Sequence, residues 1–193
     1  MSKIAIFASG AGSNADRFIQ YTNDLQSDVQ VDCLLTNRKV AGIYEVAAKN
    51  SVPIFYFSNE DFSNNTKIIG LLKQRGIEWI VLAGFLRKIE KDIVNAYNNK
   101  IFNLHPSLLP KFGGKGMYGS NVHNAVINAG EKESGITIHL VNNEFDKGEI
   151  IFQAKCSVTN GETAEDLAKK IQKLEHKFFA SAVEGYIKNS FNN

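Results

Sequence analysis

The chain has 193 residues, and its 44% hydrophobic content suits one globular domain with a substantial core. Its 22 basic and 20 acidic side chains give a formal net charge of +2, so no overall electrostatic signature points to nucleic acid or to a membrane surface. No apolar run approaches the ~20 residues of a membrane span, and no secretory leader pattern opens the sequence. We therefore expect a single cytoplasmic domain, residues 1–193, that acts on small molecules.

The first half of the chain alternates short apolar runs with helix-like segments. This pattern predicts strands over residues 3–8, 31–35, 54–57 and 79–83, and helices over residues 15–25, 43–49 and 67–75. Strands that are apolar throughout are typical of a parallel sheet that is covered by helices on both faces. The first half therefore predicts a Rossmann-like α/β unit.

A glycine-containing loop, residues 9–14 (SGAGSN), separates the first strand from the first helix. Free backbone N–H groups and the dipole of the helix favour a bound phosphate here, and Ser13 or Asn14 can donate to its oxygens. The loop nearly matches the dinucleotide fingerprint, but the second strand ends at residues 36–39 (TNRK) without an acidic residue for the ribose. The loop predicts an anion site, and an NADP-dependent reductase that uses Arg38 for the 2′-phosphate stays open.

The sequence with the most chemical information is residues 103–110 (NLHPSLLP), at the end of another apolar run. Residues two apart in a strand point to the same face, so Asn103 and His105 can converge on one reacting atom. A second polar cluster, residues 142–148, supplies Asp146. Amide, imidazole and carboxylate together suggest acyl-group chemistry. The simpler alternative is a turn asparagine followed by a loop histidine before a proline.

The second half of the chain has a different pattern. A glycine-rich loop at residues 113–119 precedes a predicted helix near residues 122–129. Strand-like runs at residues 135–141 and 149–158 predict an antiparallel addition to the sheet. A terminal helix begins near Thr163, and its apolar positions Leu167, Ile171, Leu174 and Phe178 recur at helical spacing.

The cysteines and the other histidines do not predict a metal site. Cys33 and Cys156 lie in separate apolar runs, which is typical of buried small side chains. His123, His139 and His176 match no ligand spacing. We expect them on the surface, in a strand and on a helix face, respectively.

Four motifs resemble the folate-dependent phosphoribosylglycinamide formyltransferase family, and the resemblance runs from residue 4 to the terminal helix. They are residues 8–14 (ASGAGSN), 82–87 (LAGFLR), 102–110 (FNLHPSLLP), and 145–148 (FDKG) with 151–154 (IFQA). The third motif is shared with other formyl-group enzymes, and the combination singles out this family. The resemblance implies a formyltransferase fold, a mostly parallel Rossmann-like sheet with helices on both faces and an antiparallel C-terminal addition.

The implied reaction is direct transfer of a formyl group from 10-formyltetrahydrofolate to the amine of glycinamide ribonucleotide, without a metal or a covalent enzyme intermediate. Attack by the amine creates an oxyanion that Asn103 and protonated His105 would stabilise. Protons would move through His105, Asp146 or a water between them. An anionic Asp146 is expected to raise the pKa of His105.

The resemblance also assigns the residues that bind each substrate. The residues for the ribonucleotide and its phosphate are Gly12, Ser13, Asn14, Pro106, Ser107, Gln172 and Glu175. Those for the folate are Phe85, Leu86, Arg87, Lys88, Ile89, Val141, Asn103 and Asp146. A monomer or weak homodimer is expected, with no nucleic acid or membrane as partner.

Two segments depart from the family pattern. Residues 63–66 lack the arginine that family members often use for the folate's glutamate tail, and Lys67 or Arg87 is the candidate substitute. The loop at residues 113–121 is longer than in the shorter family version, which predicts a flap that carries Lys115.

Three further alternatives are distinguishable from the sequence. Methionyl-tRNA formyltransferase and formyltetrahydrofolate deformylase share the Asn-His-Pro core, but each carries an additional domain that we do not expect in this chain. A nucleotide sensor without catalysis would keep the glycine loop and have no need of the converging Asn103, His105 and Asp146.

Overall fold

The computed structural model describes residues 1–24 and 27–191, which form a sheet flanked by helices. The strands are β1 Ser2–Phe7, β2 Val29–Thr36, β3 Ile54–Tyr56, β4 Trp79–Leu82, β5 Ile101–His105, β6 Glu133–Leu140 and β7 Ile150–Ser157. Their order in the sheet is β3-β2-β1-β4-β5-β6-β7. The first five strands are parallel, and β6 and β7 pair antiparallel. The predicted Rossmann-like fold with an antiparallel addition is confirmed.

The helices occupy the connections between the strands. They are α1 Ser13–Asp24, α2 Ile43–Asn50, α3 Asn59–Ser63, α4 Thr66–Gln74, α5 Lys91–Ala96, α6 Ser120–Asn128 and α7 Ala164–Ser190. The predicted end of the first helix, Leu25, lies outside the described residues. In the part of the chain that the structure describes, no helix has the length and apolar character to cross a membrane.

Both faces of the sheet are buried, which explains why its strands are apolar throughout. In β1, Ile4 and Ile6 face the layer of α1 and α7, while Phe7 faces the opposite layer with Phe62. Successive side chains in a strand point to opposite faces, so a strand between two helical layers needs apolar residues at every position. Burial of one such side chain stabilises the fold by roughly 1.5–3 kcal/mol.

Helix α7 begins as the sequence predicts. The Thr163 hydroxyl accepts from the Asp166 N–H at 3.1 Å, and the Asp166 carboxylate accepts from the Thr163 N–H at 3.3 Å. This reciprocal capping box satisfies N–H groups that lack a partner within the helix. Leu167 and Ile171 are buried, so the predicted apolar face packs on the sheet.

The sheet topology determines where side chains from different strands meet. Strand order reverses between β1 and β4, and ligands bind at the carboxyl ends of parallel strands beside such a point. The loops after β1, β4 and β5 all leave from this edge. Strand β6 then places His139 directly opposite Asn103 on β5.

Candidate active site

A cavity of about 630 Å³ lies at this edge of the sheet. It brings together most of the side chains that the sequence singles out. Those that line it are Asn14, Phe85, Leu86, Arg87, Lys88, Ile89, Asn103, His105, Pro106, Val141, Asp146, Gln172 and Glu175. The cavity therefore joins the segments expected to bind the folate to part of those expected to bind the ribonucleotide.

Gly12, Ser13 and Ser107 lie outside the cavity lining. The loop at Gly12 has φ +80°, and a Cβ there would collide with Ile43, so the close packing of α2 requires glycine. Ser107 is fully buried, and its hydroxyl donates to the Lys111 carbonyl at 2.8 Å. In this structure Ser107 holds the turn after β5.

Asn103, His105 and Asp146 meet inside the cavity. The Asn103 Nδ2 lies 3.4 Å from Oδ1 of Asp146, and Nδ1 of His105 lies 3.7 Å from Oδ2 of the same carboxylate. The other ring nitrogen of His105, Nε2, donates to the Phe112 carbonyl at 2.8 Å. The convergence that the two-residue spacing on β5 predicts is therefore present.

The pKa of His105 differs from the expectation. Burial is the largest influence and lowers this pKa, and the nearby His139 adds to the effect. Asp146 and the Phe112 carbonyl act in the opposite direction, and together they are too weak to reverse it. Asp146 raises this pKa, as expected, but the net shift is downward because desolvation of the imidazolium outweighs its attraction to the carboxylate.

Asp146 is held as a carboxylate. Burial opposes its ionisation, but its interactions with His139, the Gly114 N–H and His105 outweigh burial and keep the pKa of Asp146 below its usual value. The Gly114 N–H lies 2.8 Å from Oδ2. Asp146 itself has φ +53°, a strained conformation for a residue with a side chain. A Cβ on Gly148 would collide with the Leu140 carbonyl oxygen, so the Asp-Lys-Gly turn requires this glycine.

His139 is a site residue that the sequence interpretation missed. Its predicted place in a strand is correct, but its Nε2 lies 3.1 Å from Asn103 Nδ2 and 3.6 Å from Asp146 Oδ1. Its Nδ1 lies 2.8 Å from the Leu140 carbonyl, so Nδ1 carries a proton and donates. In the neutral ring Nε2 then accepts from Asn103. This contact depends on the antiparallel register that pairs His139 with Asn103, and the apolar pattern of the sequence does not specify that register.

His123 is buried, so its predicted surface position is wrong. Helix α6 packs on α7, and only 8% of His123 is exposed, on the cavity wall. Burial and the neighbouring His105 lower its pKa, which favours a neutral ring. Its Nδ1 has no hydrogen-bond partner within the described ranges. A buried lone pair without a partner costs less free energy than a buried N–H without one. The proton therefore lies on Nε2, and Nδ1 keeps the unpaired lone pair.

The end of the cavity nearest α1 and α7 contains a partly buried carboxyl group, that of Glu175. The Asn14 Nδ2 donates to Oε2 of Glu175 at 2.9 Å, and Gln172 lies one turn earlier on α7. Burial raises the pKa of Glu175, although the bond from Asn14 lowers it in part. This end of the cavity offers amide and carboxyl groups for hydroxyls or an amine.

The opposite end of the cavity is more apolar. Phe85 and Ile89 are buried in the core, whereas Leu86 is 51% exposed on the cavity wall. The Arg87 guanidinium donates to the Ser63 hydroxyl and to Glu90, both at 2.8 Å. Lys88 lies 5.1 Å from the ring centroid of Phe145, across the mouth of the cavity. An apolar surface with cations at its rim suits a flat heterocycle with an anionic tail.

The glycine-rich loop forms one wall of the cavity. Lys115, Met117 and Tyr118 line it, and Gly114 and Gly116 have positive φ angles of 99° and 88°. The loop and the residue before it contact His105 through the Phe112 carbonyl and Asp146 through the Gly114 N–H. Movement of this loop would therefore change the environment of His105 and Asp146.

Comparisons with known proteins identify the family. The formyl transferase family matches residues 2–183. A phosphoribosylglycinamide formyltransferase of Bacillus subtilis is 35% identical over 188 residues, which cover 95% of this chain and 94% of that protein. The chloroplastic phosphoribosylglycinamide formyltransferase of Arabidopsis thaliana is 38% identical over 94% of this chain, and the match spans 64% of the plant protein.

Solved structures agree with the sequence comparisons. The glycinamide ribonucleotide transformylase 1 of Geobacillus kaustophilus superposes with a TM-score of 0.89 at 34% identity, over 96% of this chain and 98% of that chain. The phosphoribosylglycinamide formyltransferase of Bacillus halodurans also gives 0.89, at 31% identity over 98% and 97% of the two chains. Fold and sequence agree, and the chain belongs to the formyl transferase family.

Proposed function

We propose that this protein transfers the formyl group of 10-formyltetrahydrofolate to the primary amine of glycinamide ribonucleotide. The observation that carries the proposal is the meeting of Asn103, His105 and Asp146 within 3.4–3.7 Å contacts in one cavity. Relatives that match nearly the whole chain are named for this formyl transfer. The formyl donor is a co-substrate, and no resident metal is part of the proposal.

The reaction begins when the amine nitrogen attacks the formyl carbon. A carbon–nitrogen bond forms, and the carbonyl electron pair moves to oxygen to give a tetrahedral oxyanion. The Asn103 amide and the Nε2–H of His105, which the neutral ring carries as well as the protonated one, stabilise that oxygen. Removal of one such donor typically costs on the order of 10²-fold to 10³-fold in rate. Collapse of the intermediate then breaks the bond to N10 of the folate.

One proton must travel from the attacking amine to the departing N10. Asp146 is a carboxylate beside His105, so it can accept a proton and return it through the ring or through a bridging water. The His105 Nε2–H is bonded to the Phe112 carbonyl in this conformation. That bond has to open or be shared when Nε2 donates to the oxyanion, which involves the glycine-rich loop in the catalytic step.

The two substrates occupy opposite ends of the cavity. The ribonucleotide extends from the N-terminus of α1 toward Gln172 and Glu175. Its phosphate is assigned to Gly12, Ser13 and Asn14, of which only Asn14 lines the cavity. Pro106 lies where the two substrates meet, with Ser107 behind it. The folate heterocycle lies on residues 85–89, with Val141 and Asp146 on its other side. Arg87 stays the candidate for the glutamate tail because it lines the cavity and Lys67 does not, although Arg87 would have to exchange its bonds to Ser63 and Glu90.

The reductase alternative has little support. Arg38 is exposed and lies outside the cavity lining, and the chain belongs to the formyl transferase family. A cytoplasmic location, a single domain over residues 1–193 and a monomeric or weakly dimeric state stay predictions.

The test is an absorbance assay with a 10-formyl-dideazafolate and glycinamide ribonucleotide. Loss of the formyl group that depends on the ribonucleotide is expected. Loss without the ribonucleotide would instead indicate a hydrolase, and no loss under either condition would contradict the proposed transfer. The His105→Asn variant serves as the control for chemistry in the cavity, because it keeps a polar side chain and removes the imidazole.

A further inference from the structure

We propose that Ser9 is a positioning residue that fixes the backbone of residues 84–87 and thereby sets the affinity for the formyl donor. The proposal rests on the function above, in which the folate binds on residues 85–89. Ser9 lies in the loop after β1, only 7% exposed, and outside the cavity lining. It acts on the folate through the backbone that it holds.

Ser9 makes two contacts with the loop after β4. Its backbone N–H donates to the Gly84 carbonyl at 3.1 Å, and its hydroxyl oxygen accepts from the Leu86 N–H at 3.1 Å. The two loops are 77 positions apart in the chain, and they meet because β1 and β4 are neighbouring parallel strands. Ser9 therefore joins the glycine loop to the segment that lines the folate end.

A third contact orients the hydroxyl. A serine hydroxyl has one proton to donate and two lone pairs to accept with. Its proton goes to Oδ1 of Asn37 at 2.7 Å, and Nδ2 of Asn37 donates to Oδ1 of Asn59 at 3.2 Å. The proton of Ser9 is thus committed to Asn37, and a lone pair is left for the Leu86 N–H.

The segment after β4 needs this support because it has no regular secondary structure. Residues 83–90 lie between β4 and α5, and Gly84 turns the chain with φ +68°. Phe85 and Ile89 are anchored by packing into the core. The polar backbone between these two anchors forms the cavity wall, and the bonds with Ser9 hold its first part. A wall that is ordered in advance reduces the entropy lost on binding.

The test compares Ser9→Ala with Ser134→Ala in the full chain. Ser134 is a matched control because it is also a buried serine, its hydroxyl has no hydrogen-bond partner among the described residues, and it lies on β6 opposite Cys156, outside the cavity lining. The loss of one hydrogen bond of this kind changes an equilibrium constant by about 3-fold to 10-fold. We expect Ser9→Ala to raise the KM for the formyl donor by that factor, with the ribonucleotide KM and kcat nearly unchanged.

A direct binding measurement separates this inference from the proposed function. Calorimetric titration with dideazafolate, the donor analogue without its formyl group, needs no turnover. Its Kd should rise for Ser9→Ala by the same factor as the donor KM and stay constant for Ser134→Ala. If wild-type protein neither binds dideazafolate nor transfers the formyl group, the proposed function fails. If wild-type protein does both and Ser9→Ala leaves the donor KM and Kd unchanged, the role of Ser9 is wrong.

A merely structural role predicts a different result. Ser9→Ala should lower the melting temperature under either role, because the Leu86 N–H and Asn37 Oδ1 lose their partner. A merely structural role would in addition raise both KM values together, and that result overturns the positioning role. Asn37→Ala provides a second variant in case Ser9→Ala does not fold, since it removes the acceptor of the hydroxyl proton and keeps Ser9. Its donor Kd should rise in the same direction by a smaller factor, and an unchanged Kd in this folded variant contradicts the inference.

Discussion

Nδ1 of His105 lies 3.7 Å from Oδ2 of Asp146, and both side chains are largely withdrawn from solvent, with 4% and 13% exposed. The carboxylate is too weak an influence to offset the desolvation of the ring, so the pKa of His105 stays below its usual value. It nevertheless supplies the largest upward influence on that pKa. The protonation of His105 in the proposed reaction therefore depends on Asp146.

Asp146→Asn tests this dependence. Removal of the carboxylate charge should lower the pKa of His105 further, because Asp146 acts to raise it. If the reaction uses imidazolium, activity is lost as the pH rises through this pKa, so the alkaline limb of the kcat profile should move to lower pH. Loss of the proton relay should also reduce kcat by about 10²-fold to 10⁴-fold.

The control for this variant is Glu144→Gln. Glu144 is an exposed carboxylate two residues away, paired with Lys147 at 2.7 Å. This change should leave the pH profile in place. An alkaline limb that stays at the wild-type pH in Asp146→Asn would contradict the coupling between the two groups.

Asn103→Ala tests the stabilisation of the oxyanion. The side chain lies in the cavity wall, and its loss removes a donor from the transition state, so kcat should fall by on the order of 10²-fold to 10³-fold. The melting temperature should change little by comparison, because Asn103 is only partly buried. Asn124→Ala, an exposed asparagine on α6, is the matched control. Near-normal turnover in folded Asn103→Ala would show that the assignment is wrong.

His139→Phe tests whether that histidine orients Asn103. Phenylalanine fills a similar volume but cannot accept from Asn103 Nδ2, so the amide loses its 3.1 Å partner. A polar group without its partner costs about 1–3 kcal/mol of free energy. Because the amide is then no longer held toward the oxyanion, kcat should fall by roughly 10-fold to 100-fold. Combination with Asn103→Ala should then add little, because the histidine acts through the asparagine. Full additivity in the double variant would mean that His139 acts on the reaction independently.

The sequence predicts those parts of the molecule that depend on local patterns. Continuous apolar runs located the strands, and the two-residue spacing of Asn103 and His105 placed both on one face of β5. The capping residues Thr163 and Asp166 located the start of α7. Helices α3 and α5 have five and six residues, which is too short for an apolar repeat to appear.

Other features depend on contacts between distant parts of the chain. The contact between His139 and Asn103 follows from the register of β5 with β6, which apolar patterning does not specify. The burial of His123 follows from the packing of α6 on α7, a contact between separate segments of the chain. The pKa of His105 reflects how completely the ring is buried, which the identity of its charged neighbour does not reveal.

Glu175→Gln should separate stability from function at the other end of the cavity. Burial raises the pKa of Glu175 above its unfolded value, so the stabilisation from its protonated form is present at low pH and is lost as the pH rises through the folded pKa. Glutamine keeps an oxygen for the 2.9 Å bond from Asn14 and carries no charge. The variant should therefore melt at a higher temperature than wild type at pH 8, with the difference shrinking below the unfolded pKa of about 4.3. The ribonucleotide KM should rise because the carboxylate is lost. If the difference in melting temperature between variant and wild type were the same at pH 8 and below the unfolded pKa, the charge of Glu175 would not limit stability.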